Sequence, residues 1–511
     1  MKKLPVGIQS FSELRKGGYL YIDKTEYIYN LATQGKYYFL SRPRRFGKSL
    51  LISTLSELFQ GNQSLFEGLW VEPNWDWQRT FPIVHLSLNS LGYKEIGFDK
   101  ALALRLEKIA AAFGITLQSE SNPLRFQELI EQLYAHLGQV VVLIDEYDKP
   151  ILDNLHDLPM ADKYRETLKS FYSILKDADP YLRLVLLTGV SKFSRVSIFS
   201  ELNNLKDLTM HPKYAVLLGY SQTELEFYFS DRIDQLASNF GGRVSLLGQI
   251  RQWYNGYTWD GVNSLYNPFS ILNFFDQERF ENFWFETGTP TFLVKLLHKE
   301  GKYDFEHVMA SSAALGSFEL ERIHPITLLF QTGYLTIRKK EVDFTYILSY
   351  PNKEVRHSLL QHLLAEYTNE SPSDTYVSAR QMKQALESGD LASFVQSINS
   401  LFASIPYQIF IEDKEAYYHS VIFLALSLMD TFVHAEVSQA KGRPDAVIFT
   451  THTIYVLEFK LDDSAENALI QIKEKNYTAP YLGKDKKVMA VGLNFSSQEK
   501  AIIQWKEEVE I

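Results

Sequence analysis

Apolar and polar positions over the first 220 residues alternate between two periods. Short, nearly continuous apolar runs read as strands at Tyr37–Leu40, Ile83–Leu88, Val140–Asp145, Leu182–Thr188 and Ala215–Gly219. Between them, apolar residues recur at helical spacing over Lys48–Phe59, Lys100–Phe113, Arg125–Leu137 and Lys163–Lys176. Strands alternating with helices predict a mainly parallel sheet. The unbroken apolarity of Val140–Ile144 and Leu184–Leu187 marks central strands covered on both faces. At Ser221 the pattern changes: a serine followed three residues later by Glu224 signals a capped helix start. Aromatic-rich helical segments run on to about Leu297. Residues 301–400 read as mostly helical with a short β pair near Gly333–Leu348, and Asn369–Ser378, rich in Ser, Pro, Asn and Asp, reads as a linker. Further on, Asp445–Phe449 and Ile454–Leu461 read as two strands joined by the turn Thr450–Thr453. The expected division is 1–220, a helical lid at 221–300, a connecting region at 301–400 and a C-terminal domain at 401–511.

Chemistry enters at the ends of these strands. Ser41-Arg-Pro-Arg-Arg-Phe-Gly-Lys-Ser49 follows a strand and opens a helix, the setting of a phosphate-binding loop. Backbone amides at a helix start cradle phosphates. Lys48 is expected to reach the β and γ phosphates of ATP, and Ser49 to bind Mg²⁺ through its hydroxyl. Gly47 is counted among the nucleotide-binding residues, Pro43 is expected to stiffen the turn, and Arg44 or Arg45 to add charge at the phosphates. In G-x-x-x-x-G-K-[ST] the first glycine falls on Arg42, a departure that leaves the backbone path open. The strand Val140–Asp145 ends in adjacent carboxylates: Asp145 is expected in the Mg²⁺ shell, and Glu146 as the group that orients and deprotonates the attacking water. Thr188, at another strand tip, is the candidate γ-phosphate sensor. Lys192 and Arg195 follow on a loop and are candidate transition-state cations in cis or in trans, although a solvated surface is the plainer reading. A Gly-Lys-Ser alone occurs often by chance; the order of all three pieces on the right elements is what carries weight.

The C-terminal strands make a sharper geometric prediction. If Phe449 pairs with Ile454, then Val447 pairs with Val456 and Asp445 falls opposite Glu458. Cross-strand partners have Cβ atoms about 5 Å apart, so two carboxylates there repel unless a cation sits between them. Lys460 lies two residues from Glu458, on the same face. Asp445 and Glu458 are therefore expected to hold Mg²⁺ or Mn²⁺ for phosphodiester hydrolysis, with Lys460 orienting water or neutralising charge. Glu436 is a further metal-ligand candidate. Asp463-Ser-Ala-Glu466 reads as a capping box opening a helix whose Gln471 touches substrate or water. The competing reading is a solvent-facing hairpin with a Glu458–Lys460 salt bridge. His434 and His452 read as surface residues, His419 as core or structural.

Composition narrows the class. A chain of 511 residues exceeds one hydrophobic core, and 45% hydrophobic with 22% charged residues is ordinary for a soluble globular protein. The absence of cysteine excludes disulfides, zinc–thiolate sites and thiol catalysis, and fits a cytoplasmic location. No apolar run follows Lys2 and Lys3, so no signal peptide is expected. The longest apolar run, Val421–Met429, is too short for a membrane span. The net charge is −10, and residues 400–511 carry 11 Lys and Arg against 16 Asp and Glu. Nucleic-acid binders usually show a basic face, so bulk charge does not support tight DNA binding by this region alone.

Two blocks of motifs resemble a known bacterial family. Ser41–Ser49, Leu143-Ile-Asp-Glu-Tyr-Asp-Lys-Pro150, Thr188-Gly-Val-Ser-Lys-Phe-Ser-Arg195, Tyr21-Ile-Asp-Lys-Thr25 and Trp253-Tyr-Asn-Gly-Tyr257 look like its AAA-ATPase-like domain. Gly442-Arg-Pro-Asp445, Glu458-Phe-Lys460 and Gln471 look like the PD-(D/E)XK nuclease superfamily domain fused to it. The resemblance implies that Asp445, Glu458 and Lys460 match the nuclease signature, and that Arg42 is the group's own variation. The expected fold class is α/β: an N-terminal AAA-like P-loop NTPase on a parallel sheet with a helical extension, and a C-terminal restriction-endonuclease-like domain. The expected function is an ATP-binding and ATP-hydrolysing, Mg²⁺-dependent nuclease acting on nucleic acid, DNA before RNA. No membrane partner is expected, and a homo-oligomer stays open. The alternative is a nucleotide-dependent switch or scaffold whose nuclease-like domain binds nucleic acid or a protein without cutting.

Overall fold

The computed structural model describes the chain apart from residues 193–203, 285–290, 317–323, 406–413, 430–433, 438–443, 484 and 511, and apart from the side chains of 291, 414–416, 434–437 and 510. It divides into two compact units, Met1–Thr287 with Phe305–Val355, and Gly288–Asp304 with Arg356–Ile511. Residues 301–400, expected as one connecting region, are shared between them.

The first unit is built on a five-stranded sheet in the order β2-β3-β4-β1-β5. Its strands are β1 (Tyr37–Ser41), β2 (Ile83–Ser87), β3 (Val140–Asp145), β4 (Leu182–Gly189) and β5 (Lys206–Asp207), all parallel. Every residue of β1 and β3 is buried, as unbroken apolar runs require when helices cover both faces. Those helices are Lys48–Phe59, Phe98–Ala112, Asn122–Leu137 and Leu158–Asp177, close to the periodic segments read from the sequence. Parallel strands place their carboxyl ends together, so Ser41, Asp145 and Gly189 share one edge of the sheet, where open α/β sheets bind ligands.

The strand expected at Ala215–Gly219 is absent. That segment follows the short 3₁₀ turn Pro212–Tyr214, and the fifth strand is β5 instead. Leu217 and Leu218 are buried because they join the hydrophobic core from a turn, without a ladder. The same unit contains a small antiparallel sheet, β6 (Val308–Ser311), β7 (Thr336–Lys340) and β8 (Thr345–Ser349), in the order β6-β8-β7, which includes the expected β pair.

The second unit holds a five-stranded mixed sheet in the order β13-β12-β11-β10-β9. Its strands are β9 (His434–Val437), β10 (Ala446–Phe449), β11 (Thr453–Leu461), β12 (Lys487–Ser496) and β13 (Ala501–Glu510). The parallel pair β11–β12 is connected through the helix Ala465–Glu474. That helix lies so close to β12 that a Cβ on Gly492 would sit 2.2 Å from the Ala465 carbonyl oxygen. The linker expected at Asn369–Ser378 is mostly helix, since Pro372–Ser388 begins there. Ser371 caps it by accepting from the Asp374 amide at 3.2 Å, and Pro372 occupies the first turn. Residues that look like a linker by composition are here a helix start.

Replacing Gly492 by alanine is expected to push the helix Ala465–Glu474 off the sheet and cost about 1–3 kcal/mol. Urea unfolding of the C-terminal unit reads this directly, and a midpoint equal to that of the parent would refute the close-packing argument.

Candidate nucleotide and metal sites

At the carboxyl edge of the parallel sheet, β1 runs into the loop Arg42–Gly47 and then into the helix Lys48–Phe59. Two residues of the turn take left-handed backbone, Arg45 at φ 65° and Gly47 at φ 93°. The carboxylate of Asp145, at the end of β3, is gripped from two sides. Ser49 Oγ donates to its Oδ2 at 2.6 Å and Thr188 Oγ1 to its Oδ1 at 2.6 Å. Glu146 follows with φ 54°, a conformation costly for a non-glycine residue and frequent at functional sites. Burial raises its carboxyl above the usual range against the opposing pull of Lys48.

Lys48 is buried and turns back on its own loop, donating from Nζ to the carbonyls of Arg42 at 2.9 Å and Pro43 at 3.0 Å. A cavity of about 320 Å³ opens in front of this group. Arg44, Arg45, Gly47, Lys48, Ser49 and Glu146 line it beside Asp148, while Ile8, Leu14, Tyr220, Phe269 and Leu272 supply apolar wall. Such a cavity offers cations and amides at one part and a dry surface at another, the mixture a small charged ligand with a ring system needs. Thr188 is fully buried and does not line it.

Asp148 is the residue that sequence reasoning passed over. It is 1% exposed and lines the cavity. Its Oδ2 accepts from the Val190 amide at 3.0 Å and from the Ser191 amide and hydroxyl at 2.6 Å each. The signal was available: a third acid after Asp145-Glu146 in an otherwise apolar stretch. Lys192, read as a solvated loop residue before a transition-state cation, is instead half-buried and paired with Asp207, and its amide donates to Gln331 Oε1 at 2.8 Å. Arg195 lies outside the described residues. The Tyr21–Thr25 motif proves structural: Asp23 accepts from the Thr25 amide at 2.8 Å and the Trp70 amide at 2.8 Å, and Lys24 pairs with Glu224 of the capping box at 2.5 Å.

In the second unit the register is the one expected. Phe449 pairs with Ile454, Val447 with Val456 and Ala446 with Leu457, so Asp445 enters β10 across from Glu458. Asp445 Oδ2 accepts from the Phe459 amide at 2.8 Å. Glu458 is 4% exposed. Lys460 Nζ stands 3.7 Å from Glu458 Oε1, and Gln471 joins them, accepting from Lys460 and donating to Glu458. Gly492, which pairs with Glu458, is the position that admits the helix bearing Gln471.

Burial first, and then the neighbouring Asp445, hold the Glu458 carboxyl up to about 7. Burial also raises Asp445, against the Phe459 amide and the charges of His419 and Lys460. Glu458 Oε2 is buried with no hydrogen-bond partner among the described residues. A solvent-facing hairpin does not fit a carboxylate this buried. Two desolvated acids with an open oxygen fit a cation between them.

Among the described residues no group of three or more His, Asp or Glu converges for a metal. The side chain of Glu436 lies outside the described residues, although its backbone pairs with Val447. The side chain of His434 is likewise outside them. His452 is exposed as expected, but His419 is exposed too, contrary to a core assignment. The helix after β11 is capped by Ser464, which accepts from the Asn467 amide at 3.1 Å, rather than by the Asp463–Glu466 box.

Both units therefore define a class: a chain with a phosphate-loop α/β domain and a mixed-sheet domain carrying paired acids and a lysine. A family model described as predicted AAA-ATPase matches residues 5–199, and one described as PD-(D/E)XK nuclease superfamily matches 413–505. The chain belongs to the family that joins these two domains. A protein of Azotobacter chroococcum mcd 1, described as an uncharacterized protein in the vnfD 5′ region, is 40% identical over 516 residues, covering 98% of each chain. Among the described residues no helix is long and apolar enough to cross a membrane.

The raised Glu458 carboxyl has a thermodynamic consequence. The folded protein keeps a proton that the unfolded chain releases above its ordinary value of 4.5, so this contribution to stability is full below that pH and is lost as pH rises through about 7. With divalent ions chelated, Glu458→Gln is expected to melt level with the parent at pH 5 and above it at pH 8. A parent that stays as stable as the variant at pH 8 would show that the carboxylate is not strained by its surroundings.

Proposed function

We infer that this protein is a nucleotide-hydrolysing enzyme whose C-terminal domain cuts nucleic acid with the help of a divalent cation, DNA being the expected substrate. The observation that carries the reading is the convergence of Asp445, Lys460 and Gln471 on the buried Glu458, whose Oε2 has no hydrogen-bond partner among the described residues.

At the N-terminal site, ATP would bind with its phosphates against the amides at the start of the helix Lys48–Phe59. Lys48 would exchange the carbonyls of Arg42 and Pro43 for phosphate oxygens. Ser49 and Asp145, already hydrogen-bonded to each other, would hold Mg²⁺. Glu146, raised by burial, would take a proton from the attacking water. Arg44 and Arg45 would add positive charge at the rim. Thr188 would keep Asp145 in orientation.

At the C-terminal site, Asp445 and Glu458 would hold Mg²⁺ or Mn²⁺, with Glu436 as a further ligand from the neighbouring strand. A bound ion of this kind polarises the phosphodiester and makes water acidic enough to attack near neutral pH. Lys460, fixed by Gln471, would orient that water and offset charge developing on the phosphorus oxygens. Protonation of Glu458 would oppose both cation binding and cutting, so activity would fall as pH drops, with a midpoint below that of the metal-free carboxyl because a bound cation favours its ionised form. Nucleotide control of cutting is the natural reason to carry both activities in one chain. The net −5 of residues 400–511 is the observation that favours the other reading, a switch that binds without cutting.

A supercoiled-plasmid nicking assay with Mg²⁺ or Mn²⁺, run with and without ATP, separates these. The parent is expected to nick, Asp445→Ala and Lys460→Ala to lose at least about a hundredfold of the rate, and Lys48→Ala to lose ATP hydrolysis to a similar degree. A parent that hydrolyses ATP but leaves plasmid, single-stranded DNA and RNA intact with either ion would establish the switch reading instead.

A further inference from the structure

Arg42 stands where a phosphate loop ordinarily has its first glycine, and its side chain goes inward. It is 0% exposed. Nη1 donates to the Ser41 and Thr209 carbonyls at 2.8 Å each, and Nη2 to the Tyr214 carbonyl at 3.4 Å. The guanidinium lies over the indole of Trp259, 4.0 Å from the ring centroid. Its Nε has no partner among the described residues, and none of its hydrogen bonds goes to a carboxylate. Burial pushes its pKa down to about 9, with Asp207 and Asp260 opposing, which leaves it cationic at neutral pH.

A guanidinium buried without a contacting acid is costly, and the compensations are three carbonyls and one aromatic face. Trp259 also meets the far side of the loop: Phe46 packs edge-on against it at 5.2 Å and against Tyr257 at 4.9 Å. One indole therefore touches the loop at its first residue and again just before Gly47. The cation of interest is tied to the first of those points, since Lys48 Nζ rests on the carbonyls of Arg42 and Pro43.

We propose that Trp259 is a positioning residue that clamps the phosphate loop through Arg42 and Phe46, so that a buried cation on an indole face sets the loop's entry where other loops use glycine. The clamp holds the Arg42 carbonyl, and with it Lys48, in place for phosphate. Its connection to ATP rests on the nucleotide reading above; its mechanical part does not.

Hydrogen exchange on the full-length protein without nucleotide tests the mechanical part. In Trp259→Ala the amides of residues 42–49 are expected to exchange about tenfold faster than in the parent, while those of 453–461 stay unchanged. Trp259→Phe, which keeps an aromatic face, is expected within about threefold of the parent. Binding of a fluorescent ATP analogue tests the functional part. Trp259→Ala is expected to weaken binding about tenfold, and Arg42→Gly to weaken it comparably although it restores the common motif, with the double variant no worse than either alone.

Arg42→Gly binding as tightly as the parent, or parent-like loop protection in a folded Trp259→Ala, would overturn the clamp. Should the alanine variant fail to fold, Arg42→Lys carries the test: its loop must exchange at least about threefold faster than the parent's, and parent-like exchange overturns the proposal. Faster loop exchange in a protein that never binds the analogue would uphold the clamp and remove the nucleotide reading. Tight analogue binding with an unaltered loop would do the reverse.

Discussion

A carboxylate at the end of a buried strand has to be balanced by something, and both sites of this protein follow from that constraint. Apolar strands give the two sheets their stability because helices strip water from them. The same desolvation makes any acid at the strand end expensive unless donors or cations meet it. At Asp145 the balance is local: two hydroxyls, from Ser49 and Thr188, donate to its two oxygens. At Asp445 and Glu458 it is incomplete. One oxygen of Glu458 has no donor among the described residues, and its carboxyl rises to about 7. At the first site both acid oxygens are met by hydroxyls; at the second, burial and a neighbouring carboxylate raise the acid.

The two sites also differ in how the chain fixes its cations. Lys460 is tied by Gln471, which sits on a helix that can approach only because Gly492 has no side chain. Lys48 is tied by main-chain carbonyls whose positions descend from Arg42 and the ring beneath it. In each case a lysine expected to meet a phosphate is held by hydrogen bonds from within its own domain. Such support converts a flexible side chain into a preset charge and lowers the reorganisation needed during reaction.

Much of this was legible in the sequence, for identifiable reasons. The central strands β3 and β4 carry the unbroken apolar runs Val140–Ile144 and Leu184–Leu187, and the β10–β11 register follows from turn length and period-two alternation, which is why the sequence pairs Asp445 with Glu458. What was not legible depends on context. Ala215–Gly219 is as apolar as a strand, yet residues can enter a core from a turn without making a ladder. Asn369–Ser378 has linker composition, but Ser371, Pro372 and Asp374 occupy helix-start positions. His419 falls on a helix whose burial pattern the sequence alone could not phase. Arg42 was visible only as a departure from a motif; nothing in the spacing said that its side chain would turn inward onto Trp259, more than two hundred residues away. Asp148 was missed because the adjacent pair Asp145-Glu146 explained the motif too easily.

Whether the Asp445–Glu458 pair takes up a divalent ion decides the nuclease reading. Electron paramagnetic resonance of Mn²⁺ titrated into nucleotide-free protein at pH 8 measures this most directly. The parent should immobilise a population of Mn²⁺ that disappears in Asp445→Asn and is released as pH is lowered below about 7. Equal Mn²⁺ binding by parent and Asp445→Asn, independent of pH over that range, would contradict it.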